Sequence, residues 1–302
     1  MERVAAVKIA AIIPYYNATG DSLLWRNHQL AVRHLQREAR VDVITSRAVF
    51  GRPRSHGPFT VQTDSMLWHK EGLINRAVRL LGDEYGAIAW IDSGVMLSPG
   101  WADRLRVAID AGNDVVQLFS RGVWLNADGQ PEYFAGHTNH WGYIYATAHG
   151  MDGFAARPKF TAGMAWAATA DTLRRVPLYD RAIVGGGDTW WIVGVTGCDQ
   201  PEALCTRHQS PAMRDHLGAW LDRARAMRLR VGWIDGEYQH LWHTNERNRQ
   251  YASRHQILAE CGYDPTRHTR IGESGLVEWT DAAPAGMVER VRAFVLGRSA
   301  SV

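Results

Sequence analysis

The strongest constraint on how this chain folds is the run Ala87-Ile88-Ala89-Trp90-Ile91, halted by Asp92-Ser93-Gly94. A continuous apolar stretch of that length with turn residues behind it predicts a strand buried on both faces, the kind found in parallel sheets covered by helices. The flanking sequence agrees. Residues 7–13 predict a first buried strand stopped by Pro14, with Tyr15, Tyr16, Asn17 and Gly20 in the loop behind it. A helix then starts at Asp21 or Ser22, and residues 41–45 form a second strand. That β-α-β order predicts a mostly parallel α/β sheet flanked by helices. Asp92 then lies at the carboxyl end of a buried strand, where open α/β sheets bind their ligands.

Further along, residues 51–63 carry prolines, arginines and His56-Gly57, a loop long enough to expect a functional role. Residues 66–81 predict the best helix, with Leu67, Ile74, Ala77, Val78 and Leu81 on one side and Lys70, Glu71, Arg76 and Arg79 on the other. A helix over 99–111, opened by Pro99 and stopped by Gly112-Asn113, leads to a strand at 115–119. Residues 120–159 are dense in aromatics, among them Trp124, Trp141 and Tyr145, and form either a ligand-facing excursion or an irregular structural insertion. Asp171 is expected to cap a helix over 171–175. The run Gly185-Gly186-Gly187-Asp188 places an acid at a helix N-terminus, behind glycines that let backbone approach a ligand closely. A helix over 217–229, a strand over 231–234, the segment His240-Leu241-Trp242-His243, a basic helix over 247–260 and a terminal helix beyond 282 complete the chain. The expected organisation is one α/β domain over 1–260 and a helical C-terminal appendage over 261–302.

Composition sets outer limits. With 302 residues, 46% hydrophobic and 22% charged, the chain can bury a full core. A net charge of +3 suits an anionic ligand without demanding a nucleic-acid surface. Three cysteines are too few for a disulfide framework and point to a reducing, cytoplasmic setting. The spacing of Cys198, Cys205 and His208 matches no common zinc pattern. No apolar run approaches the roughly 18 residues of a membrane span.

Taken in order, five segments resemble GT-A glycosyltransferases, in particular the family 2-like branch with its phage and bacterial members. They are Ile12-Ile13-Pro14-Tyr15-Tyr16-Asn17, the helix from Lys70 to Ala77, Trp90-Ile91-Asp92-Ser93-Gly94, Gly186-Gly187-Asp188 with Trp190-Trp191, and His240-Leu241-Trp242-His243 with the basic run to Arg254. The resemblance covers about residues 7 to 260. It implies transfer of a hexosyl or pentosyl group from a nucleotide sugar, UDP-sugars favoured, with inversion at the anomeric carbon. It also implies donor-binding roles for Pro14, Tyr16, Asn17, Lys70, Asn75, Arg76, Asp92, Ser93 and Arg247. Asp92-Ser93-Gly94 occupies the place of the Asp-x-Asp metal motif, yet Gly94 stands where that motif has a second acid or a histidine.

The chemistry so implied needs positive charge at the leaving diphosphate, which a Mg²⁺ or Mn²⁺ ion supplies when oxygen ligands hold it. Asp92 and His243 are the expected metal ligands, and an imidazole ligand favours Mn²⁺. Asp188 is the expected base for the acceptor hydroxyl. Trp141, Trp190 and Trp191 are the expected acceptor platform. Carbohydrates, small metabolites and a hydroxymethylated pyrimidine in phage DNA are the acceptor classes, the last suggested by the arginines over 223–230 and 247–254. Two competing expectations remain: a non-catalytic nucleotide-sugar or carbohydrate-binding module that has lost the metal motif, and a zinc hydrolase built on His240 and His243.

Overall fold

Ile9–Tyr16 (β1) lies in the interior of a seven-stranded sheet because it can be buried on both faces. The structure, a computed structural model, describes residues 7–51, 57–132, 139–150, 160–198, 208–243, 250 and 253–298. From β1 the chain passes through the helix Ser22–Leu35 (α1) to Val41–Val49 (β2), which pairs parallel with β1, and on to Thr60–Gln62 (β3) at the sheet edge. The helix Lys70–Leu80 (α2) then carries it back, and Ala87–Ile91 (β4) pairs parallel with the opposite flank of β1. The strand order therefore reverses between β1 and β4, which makes the gap beyond their carboxyl ends a topological switch point.

The short strand Val95–Leu97 (β5) and the helix Trp101–Asp110 (α3) lead to Val115–Gln117 (β6). Arg121–Trp124 (β7), Asn139–Gly142 (β8), the helix Tyr143–Ala148 (α4) and Phe160–Thr161 (β9) follow. Ala165–Thr169 (β10) inserts between β4 and β6 and is antiparallel to both, so the sheet is mostly parallel, as expected. The helices Ala170–Arg175 (α5), Gly187–Thr196 (α6) and Pro211–Ala226 (α7) precede Val231–Trp233 (β11), the edge strand beside β6. Glu237–His240 (β12) joins β5, β7, β8 and β9 in a second, five-stranded sheet.

The alternation along β4 shows why its sequence reads as a continuous apolar run. Ile88 and Trp90 belong to the core under α2, α6 and α7, whereas Ala87, Ala89 and Ile91 belong to the core under α1 and α3. A strand covered on both sides has no polar face to display.

Several boundaries differ from expectation for local reasons. β1 continues through Pro14, because its ladder with β4 has ended at Ile12 and the missing N–H of Pro14 is not required there. α2 starts at Lys70, after a turn whose backbone is bonded to Ser65 and Ile183. Thr169, not Asp171, caps α5, its hydroxyl accepting from the Thr172 amide. Ser210 caps α7 and Pro211 opens it, so this helix begins ahead of 217. Of the aromatic segment 120–159, the described part builds β7, β8 and α4.

The stretch beyond 260 is seated on the main core rather than apart from it, and it includes strands. After the helix Arg254–Glu260 (α8) come the short helix Pro265–His268 (α9), the hairpin Thr269–Ile271 (β13) with Val277–Trp279 (β14), and the helix Ala285–Leu296 (α10). Val277, Met287, Val291 and Phe294 are buried in the same cluster as Trp190 and Leu217. Among the described residues, no helix is long and apolar enough to cross a membrane.

Candidate functional site

At the switch point, the first residue of α2 draws two acids together. Lys70 Nζ lies 2.6 Å from Asp92 Oδ1 at the end of β4, and 2.8 and 2.9 Å from the two carboxylate oxygens of Asp188 in the first turn of α6. Lys70 is buried, so it is no solvated helix charge. Burial opposes its charge, but Asp188, Asp92 and Glu71 outweigh that and hold the ammonium above its ordinary pKa. Burial, with Asp188 beside it, pushes the Asp92 carboxyl up against the pull of Lys70.

The backbone around these groups is shaped to let them meet. Gly94 has φ +92°, a conformation that L side chains rarely adopt, and the Val95 amide closes the turn onto the Asp92 carbonyl. A second acid at this position would be strained, which accounts for the gap in the metal-type motif. The Asp92 amide bonds the carbonyl of Met164, itself at φ +79°, an uncommon state for a residue with a side chain. The glycine run has a steric explanation too. Gly186 caps α6 at φ +101°, and a Cβ on Gly187 would collide with the Glu71 carboxylate. A Cβ on Gly163 would lie 2.6 Å from Asp188 Oδ2.

Glu71 was expected on the side of α2 away from its apolar residues. It is buried beneath α6, and burial followed by the Asp188 charge raises its carboxyl to about 8 despite Lys70. The unfolded side chain releases its proton near 4.5 and the folded one near 8, so between these values the folded state holds more protons. The stability Glu71 contributes is therefore fully present below pH 4.5 and is lost as pH rises through 8. Glu71→Gln should remove this slope. Denaturant midpoints at pH 5 and pH 8.5 check it, and a wild-type difference that persists in the variant would rule the glutamate out as its source.

On the β1 side, Ser93 donates from Oγ to the Pro14 carbonyl at 2.9 Å and lies 3.0 Å from His28 Nδ1. Since the hydroxyl proton goes to Pro14, His28 donates through Nδ1. Burial and the nearby Arg47 lower its pKa to about 4 and keep it neutral. Asn17 spends its amide locally, donating to Tyr15 Oη and the Asp21 carbonyl and accepting from the Asp21 amide. It thus fixes the loop behind β1. Tyr16 ends β1 with its ring edge-on to Trp68 at 5.6 Å, and burial raises its phenol pKa.

Other expected site residues are engaged elsewhere. Asn75 donates to the Leu178 carbonyl and accepts from the Leu178 amide, so both ends of its amide hold the fold. Arg76 bonds Ser274 and Pro58 through their carbonyls, fastening α2 to the β13–β14 hairpin. Trp190 and Trp191 are each 2% exposed, edge-on to Tyr179 and Trp90 respectively. They are core residues and offer no face to an acceptor, because the apolar residues of α6 pack into the main core. Trp141 is half-buried, stacked on Tyr145 at 5.3 Å and paired in register with Phe160 on the way to Gly163. Arg247 lies outside the described residues, as do His56 and Cys205.

The histidine segment does come to the Asp92 loop. The Leu241 amide bonds the Gly94 carbonyl, and Asn27 donates to the Trp242 carbonyl. The His240 ring lies 4.4 Å from that of Trp124, tilted by 33°, with the His243 ring 5.2 Å from it. Yet Asp92 turns its carboxylate to Lys70. Among the described residues, no three His, Cys, Asp or Glu side chains are grouped to hold a metal ion. A divalent ion at Asp92 would also meet the Lys70 ammonium, so the expected metal pair does not fit the site as its side chains are arranged.

Two arginines complete the surroundings without having been foreseen as site residues. The guanidinium of Arg254, at the start of α8, lies 6.0 Å from the Trp68 ring centroid, and that of Arg298, just after α10, lies 4.5 Å from it. A Cβ on Gly185 would lie 3.1 Å from Arg254 Nη1 and 3.2 Å from the Trp68 ring. The arrangement is thus a lysine bridging two carboxylates, with an aromatic and two guanidinium groups beside it, at the reversal of the sheet.

No protein-family model matches the chain, and no curated protein matches it. Among solved structures, it is similar to the catalytic domain of Drosophila β1,4-galactosyltransferase 7 in complex with xylobiose, with 11% identity, a TM-score of 0.42, and coverage of 94% of this chain and 98% of that one. A mutant of the same enzyme, in complex with manganese, UDP-Gal and xylobiose, gives 10% identity and a TM-score of 0.41 over the same shares. Similarity at that level leaves the chemistry of the site to be argued from this chain's own side chains.

Proposed function

We propose that the protein is a glycosyltransferase on a GT-A-like sheet, taking a sugar from a nucleotide-sugar donor, with UDP-sugars first in order, and passing it to an acceptor hydroxyl. The observation that carries this is the Asp92–Lys70–Asp188 bridge at the sheet's topological switch point. A nucleotide lies naturally in such a crevice. In this reading Ser93, Pro14 and Tyr16 line the donor side, and Asp188 is the acceptor's base.

In the reaction the bond from the anomeric carbon to the diphosphate breaks, and its electron pair leaves with the diphosphate. The acceptor oxygen bonds that carbon from the opposite face, and its proton passes to Asp188, so the outcome is inversion. Lys70 bonds both carboxylates and orients them. A carbohydrate hydroxyl is the favoured acceptor, with Trp141 as its platform. Of the arginines that suggested a DNA acceptor, Arg225 bonds the Cys198 carbonyl and Arg254 turns to Trp68.

The test is to incubate the protein with UDP-hexoses and UDP-pentoses and measure UDP release and binding. Slow donor hydrolysis, stimulated by a carbohydrate acceptor, is expected. Binding without release under any acceptor would favour the binding module, and no binding of any nucleotide sugar would end the proposal.

A further inference from the structure

We propose that Trp141, Tyr145 and His149, stacked in a row with Trp233 beside them, hold the non-reacting units of an extended acceptor, so that the acceptor is an oligosaccharide or polysaccharide chain rather than a free sugar or small metabolite. This rests on the glycosyltransferase reading above and adds to it the class of the acceptor.

The four rings come from two segments far apart in sequence. Trp141 in β8, Tyr145 in α4 and His149 behind it are four residues apart, which puts them on one side of that helix. Trp141 stacks on Tyr145 at 5.3 Å, and Tyr145 on His149 at 4.1 Å. Trp233 at the end of β11 stands edge-on to Tyr145 at 5.9 Å and to His149 at 5.7 Å. The buried side of α4 is taken by Tyr143, Ile144 and Ala146. Neither Trp141 nor Tyr145 belongs to a hydrophobic cluster of the core, so core packing does not account for them. Aromatic groups gathered at a surface in this way mark a place of contact.

Their polar atoms suit a sugar. The indole N–H groups of Trp141 and Trp233 and the Tyr145 hydroxyl bond no described residue, and none of the three is buried. The Tyr145 carbonyl can only accept, so exposed His149 donates to it through Nδ1 at 2.8 Å, and the neutral ring offers a lone pair at Nε2. A sugar ring packs its C–H face on an aromatic face, while its hydroxyls need both donors and acceptors at the border. None of the four side chains carries a fixed charge, as a neutral ligand requires.

Their place along the sheet sets the length of the ligand. Trp90, Trp166, Gln117 and Trp233 stand in register across β4, β10, β6 and β11. β4, β6 and β11 run in one direction, so Trp233 lies at the same edge of the sheet as Asp92. Three strand spacings separate β4 from β11, roughly 14 Å. Trp141 pairs with Phe160, on the strand leading to Gly163, where a Cβ would lie 2.6 Å from Asp188 Oδ2. The row therefore starts at the strand that leads to the base and ends at the sheet edge. A single sugar at Asp188 does not reach that far, and a chain of sugar units does. Buried Gln117 holds the row in place, donating to the Thr161 carbonyl at 3.1 Å and accepting from the Ile144 amide at 3.0 Å. A platform fixed in advance loses little freedom on binding.

The experiment is calorimetric titration of the intact protein, with UDP present, with glucose, N-acetylglucosamine and mannose and with their β1,4-linked di-, tetra- and hexasaccharides. For at least one series, affinity should rise about tenfold or more from the single sugar to the hexasaccharide. His149→Ala and Tyr145→Leu should each weaken hexasaccharide binding about five- to tenfold, the size of one lost stacking contact or hydrogen bond, and leave the single sugar unchanged. In transfer assays the same variants should raise KM for the hexasaccharide and leave kcat as it is. His149 is exposed, so its variant keeps the test decisive even if Tyr145→Leu does not fold, which thermal melting shows. Affinity that is flat with chain length, absence of binding by every oligosaccharide, or wild-type hexasaccharide affinity in folded His149→Ala each overturns the proposal. So does a concentration-dependent dimer that His149→Ala dissolves in light scattering, which would give the surface to a second copy of the chain. All four leave the glycosyltransferase reading intact, since UDP release from UDP-sugars tests it separately. Failure of every nucleotide sugar to bind overturns both.

Discussion

Replacing Lys70 with methionine should destabilise the protein by about 3 kcal/mol at pH 7, the lower end of what breaking a buried ion pair costs. The side chain is 7% exposed and bonds two carboxylates, each 28% exposed. Methionine fills much the same volume, so the loss is electrostatic rather than a cavity. Without the ammonium, Asp92 and Asp188 face each other as like charges at the ends of β4 and the start of α6. Partial solvent access keeps the cost from reaching the upper end of the range. Against a total stability of about 5–15 kcal/mol such a loss is large. The sign with pH is definite: unpaired carboxylates take up protons more readily in the folded state than in the unfolded one, so the deficit should shrink as pH falls toward 4.5. Denaturant midpoints of the variant and the wild type at pH 7 and pH 4.5 measure both effects. An unchanged midpoint at pH 7 would mean that the bridge contributes nothing to stability.

Asp188→Asn is expected to act on turnover instead. Asparagine keeps the shape and can still accept from Lys70, while Lys70 keeps its bond to Asp92, so fold and nucleoside diphosphate affinity should be nearly retained. The amide cannot take the acceptor's proton. Loss of a general base lowers the rate by about a hundred- to ten-thousand-fold. Product formation in a single turnover, at saturating donor, reads this step apart from release. Transfer at the wild-type rate would remove Asp188 as the base and leave it as a partner of Lys70 only.

The comparison of the two residues shows how much of the site could be read in advance. Asp92 was legible because a carboxylate behind five apolar residues has few other meanings, and the strand bounds at Ala87–Ile91 follow from the same run. Asp188 was legible as an acid behind glycines at a helix start, but the reason for those glycines was not. Gly187 leaves room for Glu71, and Gly163 leaves room for Asp188 itself, and both neighbours are distant in sequence. Helical periodicity put Lys70 and Glu71 on the side of α2 away from its apolar residues and says nothing about what covers a helix end, so the burial of both was not legible. Here α6 covers the N-terminus of α2. Trp190 and Trp191 were misjudged for the converse reason, since exposed platforms and core aromatics have the same composition.

By itself the sequence determined the local grammar: which runs are strands covered on both faces, where the chain turns, and that the sheet is mostly parallel. These follow from hydrophobic periodicity and from turn and capping residues, which act within a few positions of one another. Only the tertiary structure decided that the cation beside Asp92 is Lys70, that the gap at Gly94 is a backbone requirement, and that Arg254 and Arg298 meet over Trp68. The physical reason is that electrostatic pairing depends on distance in space. These groups approach one another only once both faces of the sheet are covered, and no spacing along the chain records that approach.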